Sequence, residues 1–120
     1  MVEDFTNVRL SAYASQVAEK LKDRGLFDYE YDAAKFAMGY VIKNHYGSFD
    51  PAAYQVEDNN GSNHSVGSYD GDGQVAAMIK ALYPETTTPY RYMRALMVYG
   101  LTELGKIDEN EPITVLSSLM

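Results

Sequence analysis

The run from Tyr90 to Arg94 carries side chains well suited to contact a partner. It contains Tyr90, Arg91 and Tyr92, and tyrosine and arginine dominate the energetics of protein interfaces. Arg91 and Arg94 are three residues apart, so they share one face of a predicted helix. They lie in its first turns, where the helix dipole disfavours each positive charge by about 0.3–1 kcal/mol. This cost indicates an anionic partner, or internal pairing with the chain's own acidic segment.

Side chains that could perform catalysis are sparse, which predicts a protein without enzymatic activity. Nucleophilic catalysis needs a serine, cysteine or lysine beside a base. The chain has no cysteine, and its two histidines, His45 and His64, stand in no nucleophile or metal motif. We expect His45 to be a capping or surface residue and His64 to be solvated. A small subunit that is active only inside an enzyme complex is the remaining alternative.

The glycine-rich acidic stretch does not have the spacing of a metal or phosphate site. A calcium loop of the EF-hand type requires glycine at its sixth position and glutamate at its twelfth. Counted from Asp58, these positions hold Asn63 and Tyr69. The glycines beside Asp70 and Asp72 lie among carboxylates, which would repel a phosphate. The sequence therefore predicts no cofactor and no metal.

Composition limits the class of protein. A length of 120 residues predicts a single domain over 1–120, and an apolar fraction of 46% is typical of globular chains. No stretch of about 18 apolar residues is present, so no membrane span is expected. The acidic N-terminus contains no apolar signal segment and cysteine is absent, which together favour a cytoplasmic location.

The net charge of −7 is concentrated in the middle of the chain. Residues 46–72 contain five acidic side chains and no lysine or arginine, whereas residues 1–45 and 73–120 are each close to neutral. A general electrostatic attraction to nucleic acid or to an anionic membrane is therefore not expected. A local contact made by one of the neutral halves is compatible with this distribution.

Alternating side chains predict a short strand near the N-terminus. Residues 7–11 alternate between polar and apolar types, which places Val8 and Leu10 on an inward face. Ser11 then caps a helix that extends to about Arg24, where positive charge suits the helix C-terminus.

Three further helices are predicted, so the fold class is mainly α with four helices in two pairs. The second and fourth helices are apolar on nearly all sides, which indicates that each needs cover on most sides. The three further helices are expected over residues 28–44, 74–82 and 88–105. The domain divides into a strand–helix–helix half (7–46), an acidic linker (47–73), a second helix pair (74–106) and a tail (107–120).

Matches between the two halves predict a degenerate internal repeat. Gln16-Val17-Ala18 matches Gln74-Val75-Ala76 at an offset of 58 residues, and Met38 matches Met97 at an offset of 59. Chance similarity between two amphipathic helix pairs is the alternative explanation. If the two broadly apolar helices pair, each large side chain that becomes fully buried contributes about 1.5–3 kcal/mol.

The order of a strand reading Val-Arg-Leu-Ser, a helix, a turn and an apolar helix resembles the ribbon-helix-helix fold over residues 7–44. Proteins of that family pair the strands of two copies and place outward side chains in the major groove of DNA. The resemblance implies that Asn7, Arg9 and Ser11 read bases. Arginine can pair bidentately with guanine, and asparagine with adenine.

Two features depart from the family pattern. The chain is acidic, whereas such domains are usually basic. The second half has Gly67 and Ser68 where a strand should carry an outward arginine and an inward leucine. One chain would then present half of a ribbon, which a homodimer pairing the first strand across a two-fold axis would complete. We expect a homo-oligomer that associates through this strand or through the apolar helices.

A second resemblance concerns residues 27–42, which include the run from Asp32 to Tyr40. This stretch is similar to small proteins that accompany DNA phosphorothioation (Dnd) defence systems. The resemblance implies a phage-defence setting and carries no activity with it.

The leading hypothesis is a non-enzymatic protein that is DNA-associated or regulatory. Asn7 and Arg9 are expected to contact bases, and Arg91 and Arg94 the backbone of duplex DNA. The alternative is a protein–protein adaptor that uses the tyrosine- and arginine-rich helix face from Tyr90 onwards.

Overall fold

The protein has a helical core and one small antiparallel sheet of two strands. The computed structural model describes residues 3–119, and none of the helices in that range is both long and apolar enough to cross a membrane. The protein is mainly helical, as predicted. Its strands are β1 (Asn7–Arg9) and β2 (Asn63–Ser65), and its helices over the described range are α1 (Ala12–Asp23), α2 (Glu30–His45), α3 (Val66–Tyr69), α4 (Gln74–Leu82), α5 (Pro89–Asn110) and a short 3-10 helix (Leu116–Leu119).

Capping residues set the ends of the first helix. The Ser11 hydroxyl accepts a hydrogen bond from the Ala14 amide at 3.1 Å, so Ser11 caps α1 as predicted. Arg24 ends α1, and Gly25 follows with a φ of 82°, a left-handed conformation that costs glycine little.

The last long helix extends beyond its predicted end at residue 105. It continues to Asn110 because Gly105 is a packing residue and does not terminate the helix. A Cβ at this position would lie 2.7 Å from a Val17 methyl group, so the missing side chain lets α5 approach α1 closely. Packing against a neighbour has therefore outweighed the low helix propensity of glycine.

The two broadly apolar helices, α2 and α5, pack against each other in the centre of the fold. Their axes approach closely at Gly100, where a Cβ would collide with the carbonyl group of Ala37. This pairing buries both helices, as the apolar pattern predicts. The buried side chains of α2 are Ala33, Ala34, Ala37, Met38 and Val41, and the fully buried apolar ones of α5 include Met93, Leu96, Met97, Val98, Leu101 and Leu104.

The acidic segment over residues 47–73 is more structured than the predicted linker. It contains β2, which pairs antiparallel with β1, and the short helix α3. The strand ends at Ser65 and the chain then turns into α3, so Gly67 and Ser68 lie in a helix and not at strand positions. Gly61 fits against the backbone of Leu10 and Ser11, where a Cβ would collide with both carbonyl groups.

Two carboxylates of this segment accept hydrogen bonds at helix N-termini. Asp58 accepts from the Ala12 amide of α1 at 2.8 Å. Asp70 accepts from the Val75 and Ala76 amides of α4, each at 3.0 Å. Negative charge at a helix N-terminus is stabilising because it satisfies unpaired amides and complements the helix dipole. These two carboxylates of the acidic segment therefore stabilise the folded state.

The ionisation of Asp70 reflects these contacts. Burial opposes the charged form, but hydrogen bonds from Val75, Ala76 and the Tyr90 hydroxyl outweigh it and lower the pKa of Asp70. A group whose pKa is lowered on folding stabilises the folded state above its unfolded pKa, and this contribution is lost as the pH falls.

Replacing Asp70 with asparagine should therefore lower the free energy of unfolding at pH 7 by about 1–3 kcal/mol, because the amide nitrogen cannot accept the hydrogen bonds that one carboxylate oxygen accepts. The difference from the parent should shrink as the pH falls below about 3.9, the usual pKa of an unfolded aspartate. Urea unfolding across this pH range measures both effects. The exposed Glu57→Gln change in the same segment is the control and should be close to neutral. A pH-independent loss in Asp70→Asn would contradict the prediction.

Replacing Gly100 with alanine should lower the free energy of unfolding by about 1–3 kcal/mol, because the added methyl group forces α2 and α5 apart. Gly39→Ala is the matched control within α2. Nothing lies within 4 Å of a Cβ at Gly39, so that change should stabilise the protein by about 0.5–1 kcal/mol. Thermal or urea unfolding of both variants measures these effects, and equal responses would contradict close packing at Gly100.

Candidate functional site

The β1–β2 ribbon presents a polar face to solvent. Side chains alternate between the two faces of a strand, and Val8 of β1 is fully buried while Asn7 and Arg9 are exposed. On β2, Asn63 and Ser65 are exposed. Asn7 lies opposite Ser65 and Arg9 opposite Asn63, so four polar side chains share the outer face.

Sequence reasoning missed Asn63 and Ser65. The predicted repeat placed the second strand three residues later, over residues 66–68, which form part of α3. The strand signal is weak because β2 has only three residues and its inward residue is His64, not an aliphatic side chain. Asn63, His64 and Ser65 are all polar, so the sequence carries no polar–apolar alternation that could have identified this strand.

Both strands of the ribbon come from one chain. The Leu10 amide donates to the Ser62 carbonyl, and the Val66 amide to the Thr6 carbonyl, each at 2.9 Å. One edge of β1 is therefore occupied by β2 of the same chain. The expectation that one chain presents half of a ribbon is wrong, because β2 supplies the second pair of outward side chains. Self-association, through the first strand or through the apolar helices, stays a prediction.

The structure removes Ser11 from the predicted set of base contacts. Ser11 is fully buried, and its hydroxyl is engaged in capping α1. It lies beyond the end of β1, where the alternation that would turn it outward has stopped. Asn7 and Arg9 retain the exposure that a base contact requires.

Three of the chain's four arginines lie around Phe5 and the ribbon. The Arg91 guanidinium stacks over the Phe5 ring with its Cζ 4.3 Å from the centroid, and the Arg94 Cζ is 5.8 Å away. Arg94 Nε also donates to the Arg9 carbonyl at 2.7 Å. Arg9, Asn7, Phe5 and Arg94 line one shallow cavity, so the arginine cluster and the ribbon form a continuous surface.

Within residues 3–119, no carboxylate lies within ion-pair distance of Arg9, Arg91 or Arg94. The fourth arginine, Arg24, differs because both of its terminal nitrogens bond to the Asp108 carboxylate. The three clustered positive charges are therefore available to an outside anion.

The predicted pairing of Arg94 with the acidic segment takes a different form. Its guanidinium donates to the Asn59 side-chain oxygen, a neutral acceptor in that segment. Burial and then the charge of Arg91 lower the pKa of Arg94, while Asp58 acts in the opposite direction. Two like charges therefore sit close together at the start of α5.

The predicted partner face of Tyr90, Arg91 and Tyr92 is largely unavailable. Tyr92 is 8% exposed and packs against Tyr83, so its assignment as a contact residue is wrong. The Tyr90 hydroxyl donates to Asp70 at 2.9 Å, which ties this side chain to the fold. Arg91 alone of the three is exposed. Side chains three or four apart share a helix face, so residues 90–92 could not all point outward.

The two histidines both contact aromatic side chains. His64 is only partly solvated, because its ring packs against Tyr31 and Tyr69 at centroid distances of 5.8 and 5.9 Å. Its Nε2 atom is buried, lies 3.9 Å from a Glu30 oxygen and has no hydrogen-bond partner among the described residues. His45, near the end of α2, is partly exposed as expected. The His64 cluster lies beneath the ribbon and holds β2 against α2.

The part of the chain that the structure describes contains no group of three or more acidic or histidine side chains arranged to hold a metal ion. The chain matches no protein-family profile, no curated protein and no solved structure. Function is therefore inferred from the ribbon and the arginine cluster.

Proposed function

We propose that this protein is a non-enzymatic, DNA-associated regulatory protein that places its β1–β2 ribbon in the major groove of duplex DNA. The observation that supports this proposal is the exposed ribbon face of Asn7, Arg9, Asn63 and Ser65, flanked by arginines that have no carboxylate partner. A two-stranded ribbon fits the major groove, which is about 12 Å wide.

The four ribbon side chains have chemistry suited to base edges. Arg9 can donate two hydrogen bonds to guanine, and Asn7 and Asn63 can each pair bidentately with adenine. Ser65 can donate or accept, so it tolerates several bases. Because Asn63 lies opposite Arg9 across the ribbon, the two side chains would meet neighbouring positions in the groove.

The flanking arginines would contact the DNA backbone. Arg91 and Arg94 lie at the start of α5, beside β1, and contacts to phosphates fix the position of a protein on the duplex without reading sequence. Few such contacts are available on a chain with a net charge of −7, so binding should be modest, and the small number of phosphate contacts should give it a shallow dependence on salt.

The arrangement differs from the family that the sequence resembles. In the proposed mode a single chain supplies both strands, so one chain docks on DNA without a second copy. A phage-defence setting stays a prediction from the sequence resemblance.

Replacing Arg9 with alanine should weaken binding to a preferred duplex by about 1–3 kcal/mol, the usual value of a bidentate base contact. The preferred duplex would be selected from a random-sequence pool at low salt, and affinity would be measured by fluorescence anisotropy. Lys106→Ala removes a positive charge from the exposed far part of α5 and is the matched control. It should change affinity little.

Two results would reject the proposal. One is a parent protein that retains no duplex at low salt. The other is an equal loss of affinity in Arg9→Ala and Lys106→Ala, which would indicate a charge effect without a ribbon contact.

A further inference from the structure

A cavity of about 310 Å³ lies beside the arginine cluster and next to the ribbon. It opens between the N-terminal segment, the turn that follows α2 and the first turns of α5. One wall is cationic and consists of Arg91 and Arg94. The opposite wall is mainly apolar and includes Ala52, Tyr54 and Val56. The cavity is at the small end of the range for ligand sites, which is about 300–1,000 Å³.

The cationic wall is held in place before any ligand arrives. Stacking on Phe5 and a 2.9 Å bond from Nε to the Glu3 carbonyl orient the Arg91 guanidinium. Its two terminal nitrogens make no hydrogen bond within residues 3–119. Arg94 is anchored by its bonds to the Arg9 carbonyl and to Asn59. Anchored guanidiniums bind phosphate with less loss of side-chain entropy than mobile ones.

Carboxylates near this wall are partly engaged by helix N-termini. Asp58 and Glu57 act on the charge of Arg94, and Asp58 itself accepts a hydrogen bond at the N-terminus of α1. The nearby Asp4 carboxylate accepts hydrogen bonds from the Tyr90 and Arg91 amides at 2.9 and 3.0 Å, so its charge is offset by the N-terminus of α5. Arg91 and Arg94 repel each other, and an anion placed between them would relieve that repulsion.

The apolar wall is rigid and suits a flat ligand group. The Tyr54 ring packs against Phe49 and Tyr99 at centroid distances of 5.3 and 5.5 Å, which fixes its position. Val56 is half-buried beside it. A planar heterocycle can contact such a surface through its face, as bases do with aromatic side chains in other proteins.

We propose that this cavity binds one nucleoside monophosphate group, with the phosphate against Arg91 and Arg94 and the base against the Tyr54–Val56 wall. A free nucleotide and an unpaired nucleotide of single-stranded nucleic acid share this chemistry. The inference goes beyond duplex binding, because it requires the cavity and not the outer face of the ribbon.

Isothermal titration with the four nucleoside monophosphates tests the proposal, with the matching nucleoside and inorganic phosphate as partial ligands. At least one monophosphate should bind with a Kd below about 1 mM, and its own nucleoside and inorganic phosphate should each bind at least about tenfold more weakly. A short single-stranded oligonucleotide distinguishes the sources. If the oligonucleotide binds more tightly than the free nucleotide, the ligand of the site is single-stranded nucleic acid. If it binds more weakly, the ligand is a free nucleotide.

Two variants test the two walls separately. Arg91→Ala removes a cation, and Ala52→Phe fills the cavity from an exposed position while both arginines remain in the chain. Each should weaken nucleotide binding by about tenfold or more, and circular dichroism should show that both remain folded. Lys106→Ala should bind nucleotide like the parent.

Arg9→Ala separates this inference from the proposed duplex binding, since it should lose duplex affinity and keep nucleotide affinity. The inference is overturned if no monophosphate binds, or if inorganic phosphate binds as tightly as the nucleotides. Unchanged binding in Ala52→Phe would also overturn it, because the ligand would then lie outside the cavity.

Discussion

The close crossing of α2 and α5 is the contact on which the rest of the structure depends. Gly100 lets the backbone of α5 approach Ala37 of α2, and the large side chains on either side of this crossing form the core. Because α5 is 22 residues long, fixing its middle also fixes its N-terminus. That N-terminus carries Arg91 and Arg94 to β1, where the candidate site is assembled.

A second constraint is the use of carboxylates as helix caps. Asp4, Asp58 and Asp70 each accept hydrogen bonds from amides at the start of a helix that is distant in sequence or separated by a turn. These bonds hold the N-terminal and acidic segments on the helical core. They also engage negative charges that would otherwise oppose an anionic ligand, so an acidic protein can present a locally positive surface.

The two faces of the β1–β2 ribbon differ in their surroundings, because one packs on the helices and the other is exposed. Its inner face, with Val8 and the ring of His64, packs on the helices and is part of the fold. Its outer face carries exposed polar side chains, of which Ser65 contacts the Ser68 hydroxyl at 3.3 Å. Arg94 connects this outer face to the neighbouring cavity through the carbonyl of Arg9, so a ligand in one region lies close to a ligand in the other.

The sequence by itself determined the local features of this protein. Alternation identified β1 with Val8 inward, capping identified α1, and apolar patterns identified the helices that pair, because these signals act between residues close in the chain. Tertiary structure decided what depends on distant neighbours. Docking of the acidic segment made residues 63–65 a strand, and packing buried Tyr92. A three-residue strand is too short for its side-chain alternation to predict it from sequence. Tyrosine occurs both in cores and at surfaces, so its residue type does not predict its burial.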